Sequence, residues 1–373
     1  MFVERFMAWS AQAGATQRSA AVCKLAQAYV HQYVAADDLK ATEQVFTLYL
    51  QDPDMLVRAA LAQALAPSEH LPKCVIWGFL EDVSAVAEPI YAVSPRLNCG
   101  DLAAGLNRNC AKIEAAIARR YDLDDDCVRT IVERGTAAGV LALLENQAIT
   151  IGHGLLQDCA TRFGDDVAVR NALLQRDDLP PATRQSLVQS LTNVLTLWAG
   201  DWGVEDRPSF AHMACDAVNR ASVRIAEEAQ TDDLEGYVAH LLNTEQLTPG
   251  LLLRALVSGQ FELIEQAFAQ LSGQSAPRVR SILESGRKAA FEALFRKTGL
   301  PVGLYAVFAA GIEAWLVAED EVDEANVLAA MLVAAEGDSH VDGATYALLG
   351  RMAGEAHWEA SQTYQRQLLL AAA

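Results

Sequence analysis

The chain has 373 residues, 52% of them apolar, so it can bury one or more sizeable cores and lacks the composition of a disordered protein. Its formal charge of −19 argues against a nucleic-acid binder, because phosphate contacts need a basic surface. Seven cysteines, an odd number without a CxxC pair, suit free thiols in a reducing compartment.

The first residues, MFVERFMAWSAQAGA, place Glu4 where a secretory signal would need an apolar run, and no signal peptide is expected. No apolar stretch approaches the ~20 residues of a membrane span. The expected location is the cytoplasm. Prolines are few and β-branched runs are short, which favours helix throughout.

Residues 16–50 read as a helix pair either side of Ala35-Ala36-Asp37-Asp38. Five similar apolar segments follow, starting at Val57, Val86, Ile113, Val140 and Val169, so the starts lie 29, 27, 27 and 29 residues apart. Each repeats aliphatic or small residues three and four positions on, as in Val57, Ala60, Leu61, Ala64 and Leu65, which is one buried stripe of a helix. Each ends in a breaker or polar cluster, such as Ala66-Pro67, Ser94-Pro95 or Asp122 to Asp126. A second helix is expected to follow, with Asp101, Asp126 and Thr150 as N-caps. A helix pair every ~28 residues cannot bury its apolar face alone, and stacked pairs form an α–α solenoid.

The stretch Leu197 to Pro208 holds two glycines and a proline without periodicity, and marks a boundary between a repeat domain, 1–197, and a non-repeating helical domain, 209–373. Helices are expected there over 209–229, 232–243, 248–257, 260–272, 276–285, 288–298, 301–319, 322–336 and 341–370, the last broken near Gly354.

Several of these segments resemble a known family. They are DPDMLVRAALAQALAP from Asp52, VAEPIYAVSPRL from Val86, QRDDLP from Gln175, LTPGLLLRAL from Leu247, and the stretch Pro277–Pro301. The chain resembles an uncharacterised alphaproteobacterial family, a domain of unknown function with HEAT-like repeats, over about residues 50–310. That resemblance implies an all-α, HEAT-like solenoid in a bacterial cytoplasm and carries no catalytic signature.

Asp122, Asp124, Asp126 and Glu133 fall at the ligand spacing of an EF-hand loop, but Cys127 stands where the turn needs glycine. The expected reading is a turn whose carboxylates favour the next helix N-terminus. Ser285-Gly-Arg-Lys288 has SxxK spacing without its companion motifs. His212 and Cys215 share a helix face, and two ligands do not make a zinc site. No cofactor or metal is expected.

The sharpest feature is electrostatic. Arg278, Arg280, Arg287, Lys288, Arg296 and Lys297 face only Glu284 and Glu292 within 278–297, while residues 301–373 hold eleven acids against two bases. Such an island could receive an acidic or phosphorylated partner, pair with Glu319 to Glu324, or be a solvated face. The expected function is a non-enzymatic protein–protein interaction scaffold or regulatory adaptor. The alternatives are a helical-repeat enzyme such as a HEAT-like DNA glycosylase, disfavoured by the acidic charge, and a self-assembling module using Trp315, Trp358 and Leu368 to Leu370.

Overall fold

The computed structural model describes residues 2–201, 207–317 and 324–371, and contains α-helices, one short 3-10 helix and no strand among them. The chain divides into two compact units, Met1–Leu179 and Pro180–Ala373.

The first unit holds α1 (Phe2–Ser10), α2 (Ala15–Val30), α3 (Leu39–Tyr49), α4 (Met55–Leu65), α5 (Lys73–Leu80), α6 (Ser84–Val93), α7 (Cys99–Leu106), α8 (Ala111–Ala118), α9 (Asp125–Arg134), α10 (Ala137–Glu145), α11 (His153–Phe163) and α12 (Val167–Leu174). Each even-numbered helix packs on the next: α2 on α4, then α6, α8, α10 and α12. The odd helices form a second layer, with α1, α3 and α5 in series and α7, α9 and α11 in series. This is a solenoid-like stack of helix pairs. The five repeat segments are the five helices α4, α6, α8, α10 and α12, and their leading residues Val57, Val86, Ile113, Val140 and Val169 are all buried. The period therefore marks one layer, whose short helices must each bury an aliphatic stripe against both neighbours.

Arginines at repeat spacing close the helix C-termini. In the even layer, Arg120 donates to the carbonyls of Tyr91 (3.0 Å) and Ser94 (3.1 Å), and Arg176 donates to that of Leu144 (3.0 Å). Both sit in an Arg-X-Asp triplet, held by Asp122 and Asp178, and 176 − 120 = 56 residues is two repeats. Between them Asn146 donates to Ala118 (2.9 Å) and Arg120 (2.7 Å). In the odd layer, Arg108 reaches Leu80 and Asp82, and Arg162 reaches Val132 and Gly135. The last carbonyls of a helix have no partner within it, and a cation there also opposes the helix dipole.

The caps differ from expectation. Asn98 caps α7, with Asp101 completing the reciprocal pair; Asp124, not Asp126, caps α9; and Gly152, not Thr150, precedes α11. In each case the cap lies two or three residues from the expected one, at a residue that holds the extended backbone a cap requires.

The second unit holds α13 (Pro181–Asp201), α14 (Arg207–Glu228), α15 (Thr231–Asn243), α16 (Pro249–Val257), α17 (Phe261–Ser272), α18 (Ala276–Glu284), α19 (Lys288–Thr298), α20 (Leu304–Val317), α21 (Glu324–Gly337) and α22 (Gly343–Ala371). The division falls at 179/180, earlier than the expected 197/209, because α13 packs on α14 and α15. The expected linker is helical as far as Asp201, and residues 202–206 lie outside the described set. A break near Gly354 was also expected, yet α22 runs through it.

Helices α13, α15, α17 and α19 pack in series, while α16 lies at the centre of the unit, touching α14, α17, α20, α21 and α22. Every residue from Leu251 to Val257 is buried, the pattern of a helix enclosed on all sides. Phe268, Phe291, Phe295 and Phe308 fill the core beside it, with ring centroids 5.6–6.2 Å apart. Gln185 ties α13 to its neighbours by accepting from Ser222 (3.0 Å) and Tyr237 (3.1 Å). Gly259 turns the chain after α16 with φ of 67°, and a side chain there would meet Trp315 at 2.9 Å. Trp315 in turn stands edge-on to Phe261 and donates to the Leu256 carbonyl at 2.8 Å.

Candidate functional site

The six basic residues of the island lie on α18, α19 and the turn between them. Three are engaged: Arg280 with the buried Glu265 (2.8 Å), Lys288 with Glu313 (3.1 Å) and Arg296 with Glu292 (2.6 Å). Arg278, Arg287 and Lys297 are exposed and meet no carboxylate among the described residues. Of the acids expected to answer them, Glu319 to Glu324, those up to Asp323 lie outside the described residues.

Arg287 and Lys288 stand at the edge of a cleft of about 220 Å³ between α18, α19 and α20. Its floor is apolar: Ile282, Leu283, Phe291, Ile312 and Leu316, with Tyr305 stacked on Phe291 at 5.7 Å. Gly286, at φ of 62°, lets the chain turn sharply into α19 and brings the basic pair over that floor. Leu316 and Val317 remain 47% and 72% exposed at the cleft's end.

The other motifs are structural. Asp124 caps α9 by accepting from the Cys127 N–H at 2.8 Å, and Asp122 holds Arg120, so the two carboxylates serve different partners. Ser285 donates to the Ile282 carbonyl (2.9 Å), away from the Lys288–Glu313 pair. Cys215 is exposed, and the side chain of His212 lies outside the described residues, as do those of Leu368 to Leu370. Trp315 belongs to the core of the second unit, whereas Trp358 is 65% exposed.

A second constellation is absent from the expectations drawn above. Arg254 is only 8% exposed on the enclosed helix α16. Its Nη1 donates to Glu355 Oε2 at 3.0 Å, and Arg220 Nη1 meets Glu355 Oε1 at 3.0 Å, so two guanidiniums share one carboxylate. Nε and Nη2 of Arg254 are buried without a hydrogen-bond partner among the described residues. Each such group costs on the order of 1–3 kcal/mol. One turn away, Asp216 on α14 meets Arg351 on α22 at 2.8 Å, so two ion pairs of opposite polarity join α14 and α22. A cavity of about 450 Å³ opens onto Arg254 between α14, α16, α21 and α22. The signal in the sequence is one arginine inside Leu-Leu-Leu-Arg-Ala-Leu-Val, a charge within an otherwise apolar helix.

The model of the family described as an uncharacterised protein conserved in bacteria (DUF2336) matches residues 86–341, more than half of the chain. The chain belongs to this family. The match starts at Val86, the second repeat segment, and runs past α21, so a DUF2336 domain spans helices of both units and includes Arg254 and the island. No curated protein and no solved structure matches the chain. No helix among the described residues is long and apolar enough to cross a membrane.

Proposed function

We propose that this DUF2336 protein is a non-enzymatic interaction scaffold or adaptor of the bacterial cytoplasm, in an alphaproteobacterial lineage, with repeats of the HEAT type. In this reading its α18–α20 cleft holds an acidic, amphipathic segment of a partner protein. The observation that carries this reading is the pairing of an apolar cleft, open at the exposed Leu316 and Val317, with Arg287 at its edge, a cation that lacks a carboxylate partner among the described residues. An apolar side chain of the partner enters between Phe291, Ile312 and Leu316, and carboxylates or a phosphate beside it meet Arg287, Arg278 and Lys297. The net charge of −19 repels such a segment elsewhere on the chain and favours docking at the island. Seven free cysteines suit a reducing cytoplasm.

The test is affinity capture followed by measured binding of the purified partner. Two variants serve: the triple reversal Arg278→Glu, Arg287→Glu, Lys297→Glu, and the cleft variant Leu316→Asp. Each is expected to weaken binding at least tenfold, with the wild-type affinity falling as salt rises. Unchanged affinity in both variants, with circular dichroism preserved, sinks the proposal.

A further inference from the structure

We propose that the far half of α13, with the start of α14, binds a second copy of this chain, making a two-fold dimer through Leu191, Val194 and Leu195. The first observation is where apolar side chains are left uncovered. Gln185 near the start of α13 accepts from Ser222 near the end of α14 at 3.0 Å, so the two helices run antiparallel. There Leu187 is buried and Val188 packs against the core of the second unit. One turn further on the pattern reverses, and Leu191, Val194 and Leu195 are 39%, 39% and 47% exposed. Val194 lies nine residues on from Gln185 and Met213 nine back from Ser222, so the exposed Met213 stands at the same level. Positions 191, 194 and 195 are spaced three and four apart, which makes one stripe of a helix, and helices pair along such stripes.

The second observation is charge, and it points to the occupant. Two copies of a chain of net charge −19 repel, so a self-interface must form where acids are absent. Residues 185–200 are the longest stretch of the sequence without Asp, Glu, Lys or Arg, and the exposed stripe lies within it. Beside the stripe stand Ser190 and Asn193, both exposed, and Gln189, whose Nε2 donates to Asn193 Oδ1 at 3.0 Å. Amides and hydroxyls both donate and accept, so each can meet its own copy, which a charged group cannot do. A two-fold interface demands this self-complementarity.

The axis of this dimer passes near Asn193 and sets the two α13 helices antiparallel. Asp201, the first acid after the stripe, is then eight residues from the axis. At about 1.5 Å per residue the aspartates of the two copies lie about 24 Å apart along the helices. That exceeds the screening length of about 8 Å at physiological ionic strength, so the acids beyond the stripe do not oppose the pairing. This face shares no residue with the α18–α20 cleft or with the cavity beside Arg254, and the dimer is independent of what either holds.

Sedimentation equilibrium of the full-length chain, loaded from about 1 to 100 μM, tests the dimer. The wild type is expected to rise from 40.3 kDa toward twice that mass. It should do so at lower concentration in ~0.5 M salt than in ~0.05 M, because screening relieves the repulsion between copies. Leu191→Glu with Leu195→Glu places two carboxylates per copy at the axis and is expected to weaken the dimer at least tenfold. Both leucines are exposed, so its circular dichroism should match the wild type. Leu191→Lys with Leu195→Lys is expected to weaken self-association in the same way, whereas an equal mixture of the two variants regains the dimer. The proposal is overturned if the wild type stays at 40.3 kDa throughout, which gives this face another occupant. It is equally overturned if both charged variants dimerise as tightly as the wild type, or if their mixture stays monomeric.

Discussion

Glu114 Oε2 accepts both donors of Thr136, the backbone N–H at 2.7 Å and the hydroxyl at 2.6 Å, across two successive helix pairs of the solenoid. Glu114 is 1% exposed on α8, and Thr136 is the N-cap of α10, so a buried carboxylate fixes the start of the next repeat's helix. Replacing Glu114 by alanine leaves the threonine donors without their acceptor, in a site so close that a Cβ added to Gly139 would lie 3.0 Å from the glutamate Cβ. We expect Glu114→Ala to destabilise by about 1–3 kcal/mol. Urea denaturation followed by circular dichroism measures it, and Thr136→Val should cost no more when added to Glu114→Ala than by itself, if the two act as one unit.

Gly105 lies inside α7, where alanine is the better helix former by about 1 kcal/mol. Tertiary contact reverses that preference, since a Cβ at Gly105 would fall 2.7 Å from Tyr91 Cζ and 3.0 Å from Ile117 Cδ1. Tyr91 is buried at the end of α6 and has no room to retreat. Gly105→Ala is expected to lower stability by about 1–3 kcal/mol through overpacking. A rise in the urea midpoint instead would show that the α6–α7 packing yields.

The Arg-X-Asp triplets make the repeat unit sensitive to acid. Hydrogen bonds from Arg120 hold the Asp122 carboxyl below its ordinary range, and those from Arg176 do the same for Asp178. A carboxyl whose folded value is depressed contributes stability that is complete above its unfolded value of about 3.9 and is lost as pH falls through the folded one. The urea midpoint is therefore expected to drop below about pH 4, and Asp122→Asn with Asp178→Asn should flatten that drop while lowering the plateau at neutral pH. An unaltered acid limb in the double variant would contradict the assignment.

His240 gives a second, higher window. Burial lowers its pKa, and its Nε2 lies 3.3 Å from Ser186 Oγ. The neutral ring is the folded form, so stability is complete above the unfolded value of about 6.5 and declines as pH falls below it. Stability measured between neutral pH and pH 5 should fall in the wild type and change less in His240→Gln.

Thiol labelling separates the cysteines by burial. Burial pushes the Cys159 thiol up to about 12, and burial followed by the Asp124 hydrogen bond does the same for Cys127. Both are buried in the first unit, whereas Cys74 and Cys215 are exposed. With iodoacetamide at pH 8, peptide mapping is expected to find Cys74 modified early and Cys127 and Cys159 last. Early labelling of Cys159 would mean that α11 opens locally.

The helical class and the stacking of helix pairs were legible in the chain because a buried layer must repeat its aliphatic stripe, and Val57, Val86, Ile113, Val140 and Val169 carry that period. The odd-numbered helices were less legible: their amphipathic faces vary, and caps such as Asp124 and Asn98 compete with equally suitable neighbours a residue or two away. The basic island is a property of composition, and so it was visible before any fold was known. Tertiary structure decided which of its members pair: Glu265 and Glu313 come from helices that spacing alone does not place beside Arg280 and Lys288. Arg254 is the clearest division between the two levels. Its position in an apolar run announces burial, but that Glu355, 101 residues on, takes one end of the guanidinium and leaves the other edge bare follows only from packing α22 against α16. Local periodicity fixes which face of a helix turns inward; which distant charge meets it depends on the path of the whole chain.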